Sequence, residues 1–407
     1  MTSSRRPPRG LGSARIGLVV LAVAVFASVT TELLPVGLLP QISSAFYVSN
    51  GAAGLLISAY AVMVAFLSVP LALATAGLPR KPVLLATIGG YAVSNLIAAL
   101  APTFGVLVAG RVVGGITHAL FFSVCIGYAA RLVPRSQTGR AMALVSVGVS
   151  AGLILGVPLS TALGAAVGWR MAFAGLAVLV VAVLVIAVVV LPVVGAPRGE
   201  TAPPPRRRRD LAVVVAANGL TYLGTYVLYT YVSVLLLDSG AVEGWVGPTL
   251  LLFGVCGLVG LRIAATRLDD RPRGSAILIP SLMAAGTVAV AITYPGLALV
   301  VVAGMVWLGA FGPAASLYQS ASVRTAGSSP ETAGAWINAS SNAGIGGGAA
   351  LGAFVLAHSG LAEVAWTSAA IVTCSATLAF LSRSAFPSRH GPPSQASGPL
   401  AAEHQAH

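Results

Sequence analysis

Acidic side chains are scarce in this sequence: ten Asp and Glu among 407 residues, against 23 Lys and Arg. Charged residues of both signs make up 8% of the chain, where soluble domains carry roughly a quarter. The chain is 57% hydrophobic, with a mean hydropathy of +0.92. So few charges cannot clothe a water-exposed surface, which excludes an ordinary soluble protein. Cysteine is also rare. Cys125, Cys256 and Cys374 lie far apart in apolar stretches, without C-x-x-C or Cys/His spacing. A disulfide framework and a zinc site are therefore excluded, no metal or cofactor is expected, and all three cysteines are read as core residues. The sequence also has no H-E-x-x-H and no Walker A loop, and no aqueous segment is large enough to host either. "GVSAG" around Ser150 fits G-x-S-x-G, but it sits in an apolar run without the strand–turn–helix setting of a nucleophile elbow. The chain is not expected to be an enzyme.

What is present is apolar length. A membrane-spanning helix needs about 20 largely apolar residues, and twelve such stretches can be placed: 16–39, 51–74, 83–101, 103–129, 138–165, 169–191, 211–237, 245–266, 275–293, 296–319, 331–357 and 362–382. The expected fold is an all-α integral membrane protein of twelve transmembrane helices, enriched in glycine (47 residues) as close helix packing in lipid favours. The formal net charge of +13 could suggest a nucleic-acid partner, but the arginines occur in short clusters between apolar runs and no basic face alternates with aromatics. With the N-terminus inside, 21 of the 23 Lys and Arg fall in cytoplasmic segments or at cytoplasmic helix ends; Arg170 falls outside and Arg111 within a span. The charge therefore reports orientation, with both termini in the cytoplasm, and no nucleic-acid partner is expected.

Residues 193–210, "VVGAPRGETAPPPRRRRD", crowd prolines, glycines and four consecutive arginines into a solvated linker. They divide the chain into a cytoplasmic tail (1–15), a six-helix half (16–192), the linker (193–210), a second six-helix half (211–382) and a second tail (383–407). The first tail is basic and lacks an A-x-A-like cleavage site, so no signal peptide is expected. Gly148, Gly152 and Gly156 in span 5 are echoed by Gly344, Gly348 and Gly352 in span 11, and duplicated six-helix halves are a transporter plan.

Among the acidic residues only Glu32, in "SVTTELLPVGLLP", lies well inside a span. A lone membrane carboxylate costs about 3 kcal/mol on insertion scales and so marks a functional site by default. Span 4 supplies Arg111 and His118, seven residues apart and so on one helix face. At about 1.5 Å per residue, Glu32 and Arg111 come out at similar depths, about 10 and 12 Å from the outer ends of their spans, which predicts an ion pair between them. His118 falls roughly 10 Å further in; imidazole changes charge near neutral pH. Span 7 carries Asn218, Tyr222, Thr225 and Tyr229 on one face and span 11 carries Asn338 and Asn342, residues that can line a cavity or hydrogen-bond helix to helix. Without a nucleotide site, an ion gradient must supply the energy, and the proton suits a lone Glu with Arg and His nearby.

The strings "TELLPVGLLP", "ISAYAVMVAFLSVP" with Tyr60 and Pro70, "GRVVGGITHALFF", "GVSAGLILGVPLSTALGAAVGWR" and "NASSNAGIGGGAALGA" occur in an order that resembles the major facilitator superfamily, in its drug:proton antiporter branch. The resemblance covers nearly all of 16–382. It implies alternating access around a central cavity, to which Tyr60 would also contribute, and proton-coupled efflux of a small drug-like or amphipathic solute; a sugar, nucleoside or other metabolite is the alternative. It also implies a bacterial-type inner-membrane location amid membrane lipid, and a monomer is expected. Gly148, Gly152, Gly156 and Pro158 match the antiporter motif. The cytoplasmic loop motif between spans 2 and 3 keeps Arg80 and Lys81 but has Ala76 at the acidic position, whereas the corresponding loop of the second half keeps Asp270 and Arg271.

The orientation is open to a direct measurement. In a background lacking the native cysteines, a cysteine at Thr201 should resist impermeant thiol reagents added to intact cells while one at Ser239 reacts; the opposite pattern would invert the topology.

Overall fold

In hydrocarbon every backbone N–H and C=O must find a partner within its own segment, so long apolar runs become helices. The computed structural model describes residues 11–75, 77–134, 137–193, 208–265, 271–326 and 330–386, and among these no strand forms. Before the linker lie α1 (Leu11–Phe46), α2 (Asn50–Ala74), α3 (Arg80–Leu100), α4 (Phe104–Leu132), α5 (Thr138–Ala151), α6 (Val157–Val167) and α7 (Trp169–Val190). After it come α8 (Arg208–Tyr229), α9 (Val232–Asp238), α10 (Glu243–Ala265), α11 (Pro272–Thr293), α12 (Leu297–Phe311), α13 (Ala314–Ala326), α14 (Pro330–His358) and α15 (Leu361–Leu381). Ser49 caps α2 by accepting from the Ala52 amide at 3.1 Å, and Thr103 caps α4 by accepting from Val106 at 3.3 Å.

Eleven segments of the described residues are long and apolar enough to cross a membrane. The twelfth expected span, 331–357, is α14, whose Asn, Ser and Gly content fits its place between α2 and α8. Three expected spans are not single regular helices. Span 5 is α5 and α6 joined by a π-helical turn over Gly152–Gly156 just before Pro158, span 7 breaks between α8 and α9, and span 10 breaks at Gly312 and Pro313. Span 1 does not stop at Leu39: α1 runs through Pro35 and Pro40 to Phe46. Of the cysteines only Cys125 is buried; Cys256 is half-buried and Cys374 exposed, because α15 turns it to the surface of the bundle. Of the expected linker and tails, residues 194–207, 1–10 and 387–407 lie outside the described residues.

The glycine echo is a structural repeat. A Cβ at Gly148 would collide with the Ala22 carbonyl, at Gly152 would come within 2.8 Å of Val29 and 3.1 Å of the Phe26 carbonyl, and at Gly156 would strike Thr30, so α5 and α6 lie backbone to backbone on α1. In the second half an added Cβ would come within 2.6 Å of the Gly219 carbonyl at Gly344, 2.5 Å of the Leu223 carbonyl at Gly348 and 2.5 Å of the Val227 carbonyl at Gly352, seating α14 on α8 in the same way. Small residues every four positions allow this approach.

Arg170, the one basic residue expected outside, is held at the start of α7. Its guanidinium carbon lies 4.3 Å from the Trp169 ring centre and 5.5 Å from that of Phe46, and Nη2 donates to the Ala101 carbonyl at 2.9 Å.

The two sets of helices meet where α14 packs on α2, α10 on α6, and α1 on α9. Among the described residues three hydrogen bonds join them at the end of the bundle far from the linker: Ser58 to the Gly346 carbonyl (2.9 Å), Ser233 to the Val36 carbonyl (2.7 Å), and Gln41 Nε2 to Glu243 Oε1 (2.9 Å).

Gly348→Ala should lower stability by about 1–3 kcal/mol, the usual cost of overpacking. Gly127, with nothing within 4 Å of an added Cβ, should accept alanine without loss. Thermal unfolding in detergent compares the two.

Candidate functional site

Pro35 sets the site. It has no N–H to give to the carbonyl four residues earlier, so Thr31 is left with a free acceptor inside α1. Arg111, 1% exposed, supplies the donor from α4. Its Nη1 donates to the Thr31 carbonyl at 2.5 Å, Nη2 to the Glu32 carbonyl at 2.6 Å and Nε to the Leu56 carbonyl at 3.2 Å. The guanidinium carbon also sits 4.3 Å from the centre of the Tyr60 ring. Asn95 completes this side by donating to the Thr31 hydroxyl at 2.9 Å.

The expected side-chain ion pair between Glu32 and Arg111 is not formed. Arg111 binds the backbone of Glu32, and the carboxylate instead lies 3.9 Å from His118 Nε2. Arg111 reaches the level of Glu32, but its N–H groups are turned to the backbone carbonyls of Thr31, Glu32 and Leu56. Phe46 and Phe104 stack edge to face with ring centres 6.0 Å apart, so the ends of α1 and α4 are level. Glu32 is fourteen residues from Phe46 and His118 fourteen from Phe104, about 21 Å for each, which brings the carboxylate and the imidazole to one depth. His118 is fixed from its other side by Tyr60, whose hydroxyl is 2.8 Å from Nδ1, and its ring packs against Phe122 and Tyr91. Glu32 is 9% exposed and the other members of the network less.

Across the junction, the second half presents aromatic rings. Tyr222 and Tyr226 lie nearly parallel, with centres 6.3 Å apart, and Phe311 meets Tyr222 edge-on at 5.2 Å. Tyr226 meets Tyr229 at 5.6 Å, and Tyr229 meets Trp307 at 6.4 Å. The glycine repeat sets Thr30 against Val227; two residues further on stand Glu32 and Tyr229, a carboxylate in one half and an aromatic ring at the equivalent position in the other.

The remaining expected site residues divide. Tyr60 is fully buried within the charged network and does not stand on an open wall. Asn218 is a fastener: its Nδ2 donates to the Ile337 carbonyl and to the hydroxyls of Ser340 and Ser341 at 2.7–3.1 Å, tying α8 to α14. Asn342 donates to Asn338 on its own helix. The Thr225 hydroxyl and the Asn342 Oδ1 are buried without a hydrogen-bond partner. Pro158 follows the π-helical turn, and such turns are frequent where helices serve function. Arg80 donates to the carbonyl of Thr75, the C-cap of α2, and Lys81 to the Val188 carbonyl near the end of α7, so both close helix C-termini, where a positive charge suits the dipole. Arg271 is exposed, and Asp270 lies outside the described residues. Sequence reasoning passed over Tyr91, Asn95, Tyr226, Trp307 and Phe311. The Y-x-x-x-Y spacing of Tyr222 and Tyr226 and the Tyr91/Asn95 pair at i, i+4 were available signals. Nothing in the sequence brings Phe311 to Tyr222.

Lysine cannot reproduce the forked reach of Arg111 to three carbonyls. Arg111→Lys should cost about 1–3 kcal/mol, the range for leaving a buried acceptor unpaired, read as a lower unfolding temperature in detergent.

Comparison with known proteins places this arrangement. The model of the Major Facilitator Superfamily matches residues 21–334. A chloramphenicol efflux pump of Mycobacterium tuberculosis is 36% identical over 359 residues, spanning 84% of this chain and 86% of that protein. A probable sugar efflux transporter of Mannheimia succiniciproducens is 28% identical over 361 residues, 87% of this chain and 90% of that protein. A bacterial homolog of the human lysosomal transporter Spinster, in an inward-facing and occupied conformation, shares the fold with a TM-score of 0.73 at 14% identity, covering 96% of this chain and 100% of that one. Multi-pass in the membrane and built for transport rather than catalysis, the chain belongs to the Major Facilitator Superfamily.

Proposed function

We propose that this protein exports a small, neutral amphipathic solute in exchange for protons, with Glu32 as the proton-carrying group. The observation that carries the reading is Glu32 itself: a carboxylate 9% exposed inside a membrane span, with His118 3.9 Å away and the Arg111 guanidinium bound to its own backbone carbonyl. A charge at that depth is costly unless it serves function. Arg111 is engaged with three carbonyls, so it supplies a fixed positive field and need not move during the cycle. Protonation of Glu32 removes its attraction to this field, and so changes how strongly the N-terminal wall holds its present shape. A proton can shift the balance of states only through such a difference.

The solute class follows from the walls. Parallel tyrosines with Phe311 and Trp307 favour a flat apolar body, while Glu32 and the tyrosine hydroxyls offer hydrogen bonds to polar substituents. The efflux pump from Mycobacterium tuberculosis, named for chloramphenicol, supports a drug-like solute. The Mannheimia succiniciproducens relative, named for sugar efflux, keeps a sugar or related metabolite as the second reading. With the linker in the cytoplasm, the end fastened by Ser58, Ser233 and Gln41 faces outward, and the structure is a state closed to the outside.

In proteoliposomes with an imposed pH gradient, Glu32→Gln should abolish uphill transport, because the amide resembles the protonated acid but cannot release a proton. Downhill exchange of bound solute should persist at a reduced rate. Uphill transport at the normal rate by this variant would remove Glu32 from the coupling step. A panel of neutral aromatic antibiotics and sugars assayed in the same vesicles separates the two solute classes.

A further inference from the structure

Pro40 repeats in α1, near the sealed end, what Pro35 does at the site. Its missing N–H leaves the Val36 carbonyl without its helical donor. Val36 is fully buried, so no water is at hand to take the place. The donor that fills it comes from the other half of the protein: the hydroxyl of Ser233, 1% exposed in the first turn of α9, at 2.7 Å. Thus one proline directs a carbonyl to a partner within its own half, Arg111, and the next directs one across the junction.

We infer that the Val36–Ser233 hydrogen bond is an interlock between the halves, created by Pro40, that holds the linker-distal end closed and must break for that end to open. The inference rests on the alternating-access reading above. The surroundings suit a bond that is made and broken. Among the neighbouring cross-junction contacts are close approaches at glycine: a Cβ added at Gly51 would lie 3.1 Å from the Ala353 carbonyl and one at Gly247 3.3 Å from the Pro158 carbonyl, while the Tyr231 ring lies against Gly54. On opening, both the carbonyl and the hydroxyl become accessible to water, which satisfies them. The bond therefore biases the closed state modestly instead of locking it. An ordinary serine–carbonyl contact onto an intact helix would only share an acceptor already in use. Here the acceptor is vacant, which makes the hydroxyl and the proline one device.

The test is a double-mutant cycle read by pulsed electron resonance. Spin labels replace Tyr47, 97% exposed between α1 and α2, and Val242, 70% exposed between α9 and α10, in a background without the native cysteines. Ser233→Ala should raise the long-distance, open population relative to the closed one roughly fivefold, the size expected of one neutral hydrogen bond whose groups water can otherwise satisfy. Pro40→Ala gives Val36 a helical donor again, so in that background Ser233→Ala should change the ratio by less than about twofold. An equal shift in both backgrounds, or no shift in either, overturns the interlock while leaving alternating access intact, provided pH or solute still moves the distances. One unchanging distance under every pH and solute condition overturns alternating access and the interlock with it.

Discussion

A helix that carries proline has a carbonyl to give away. In α1 that surplus organises much of what surrounds it, since a bare acceptor in a low-dielectric interior must be met by a donor from elsewhere. Arg111 meets the one below Pro35, and in doing so its guanidinium is laid over Tyr60 and oriented along the backbone of Thr31 and Glu32. Tyr60 in turn holds His118, and His118 stands by Glu32. The charged centre is therefore assembled from the backbone outward. The arginine is a brace, and the carboxylate is not the group that satisfies it.

The sequence makes the architecture plain, and for clear reasons. Apolar length, the confinement of Lys and Arg to alternate connections, and the matched glycines at 148, 152, 156 and 344, 348, 352 are properties that survive without knowledge of packing. The centre is less legible. Glu32, Arg111, His118 and Tyr60 are each visible as polar groups in apolar runs, but who pairs with whom depends on which backbone acceptors are free. The sequence reading matched charge to charge, whereas the carbonyls that Pro35 leaves open in α1 take the arginine and leave the carboxylate to His118. Asn218 shows a second limit: its position on a polar stripe suited either a cavity or a fastening, and only its three acceptors on α14 decide the matter. Phe311 and Trp307 belong to an apolar helix in which no periodicity distinguishes a wall residue from a core residue.

The basic loop residues show how a motif can persist while its partner is absent. Arg80 and Lys81 occupy positions where the superfamily places its cytoplasmic charge cluster, yet in this chain each closes the carbonyl end of a helix. Helix-end capping explains their retention without any acidic residue at position 76.

The two faces of α14 behave as different kinds of surface. Toward α8 it lies backbone to backbone, glycine against carbonyl at three successive turns, with Asn218 as a bolt; toward α2 it offers Gly346 to Ala61 and Ala353 to Gly51, with one hydrogen bond, from Ser58. One face is a weld and the other a bearing. A helix mounted in this way belongs mechanically to its own half, and the α2 face is where the two halves can slip past each other.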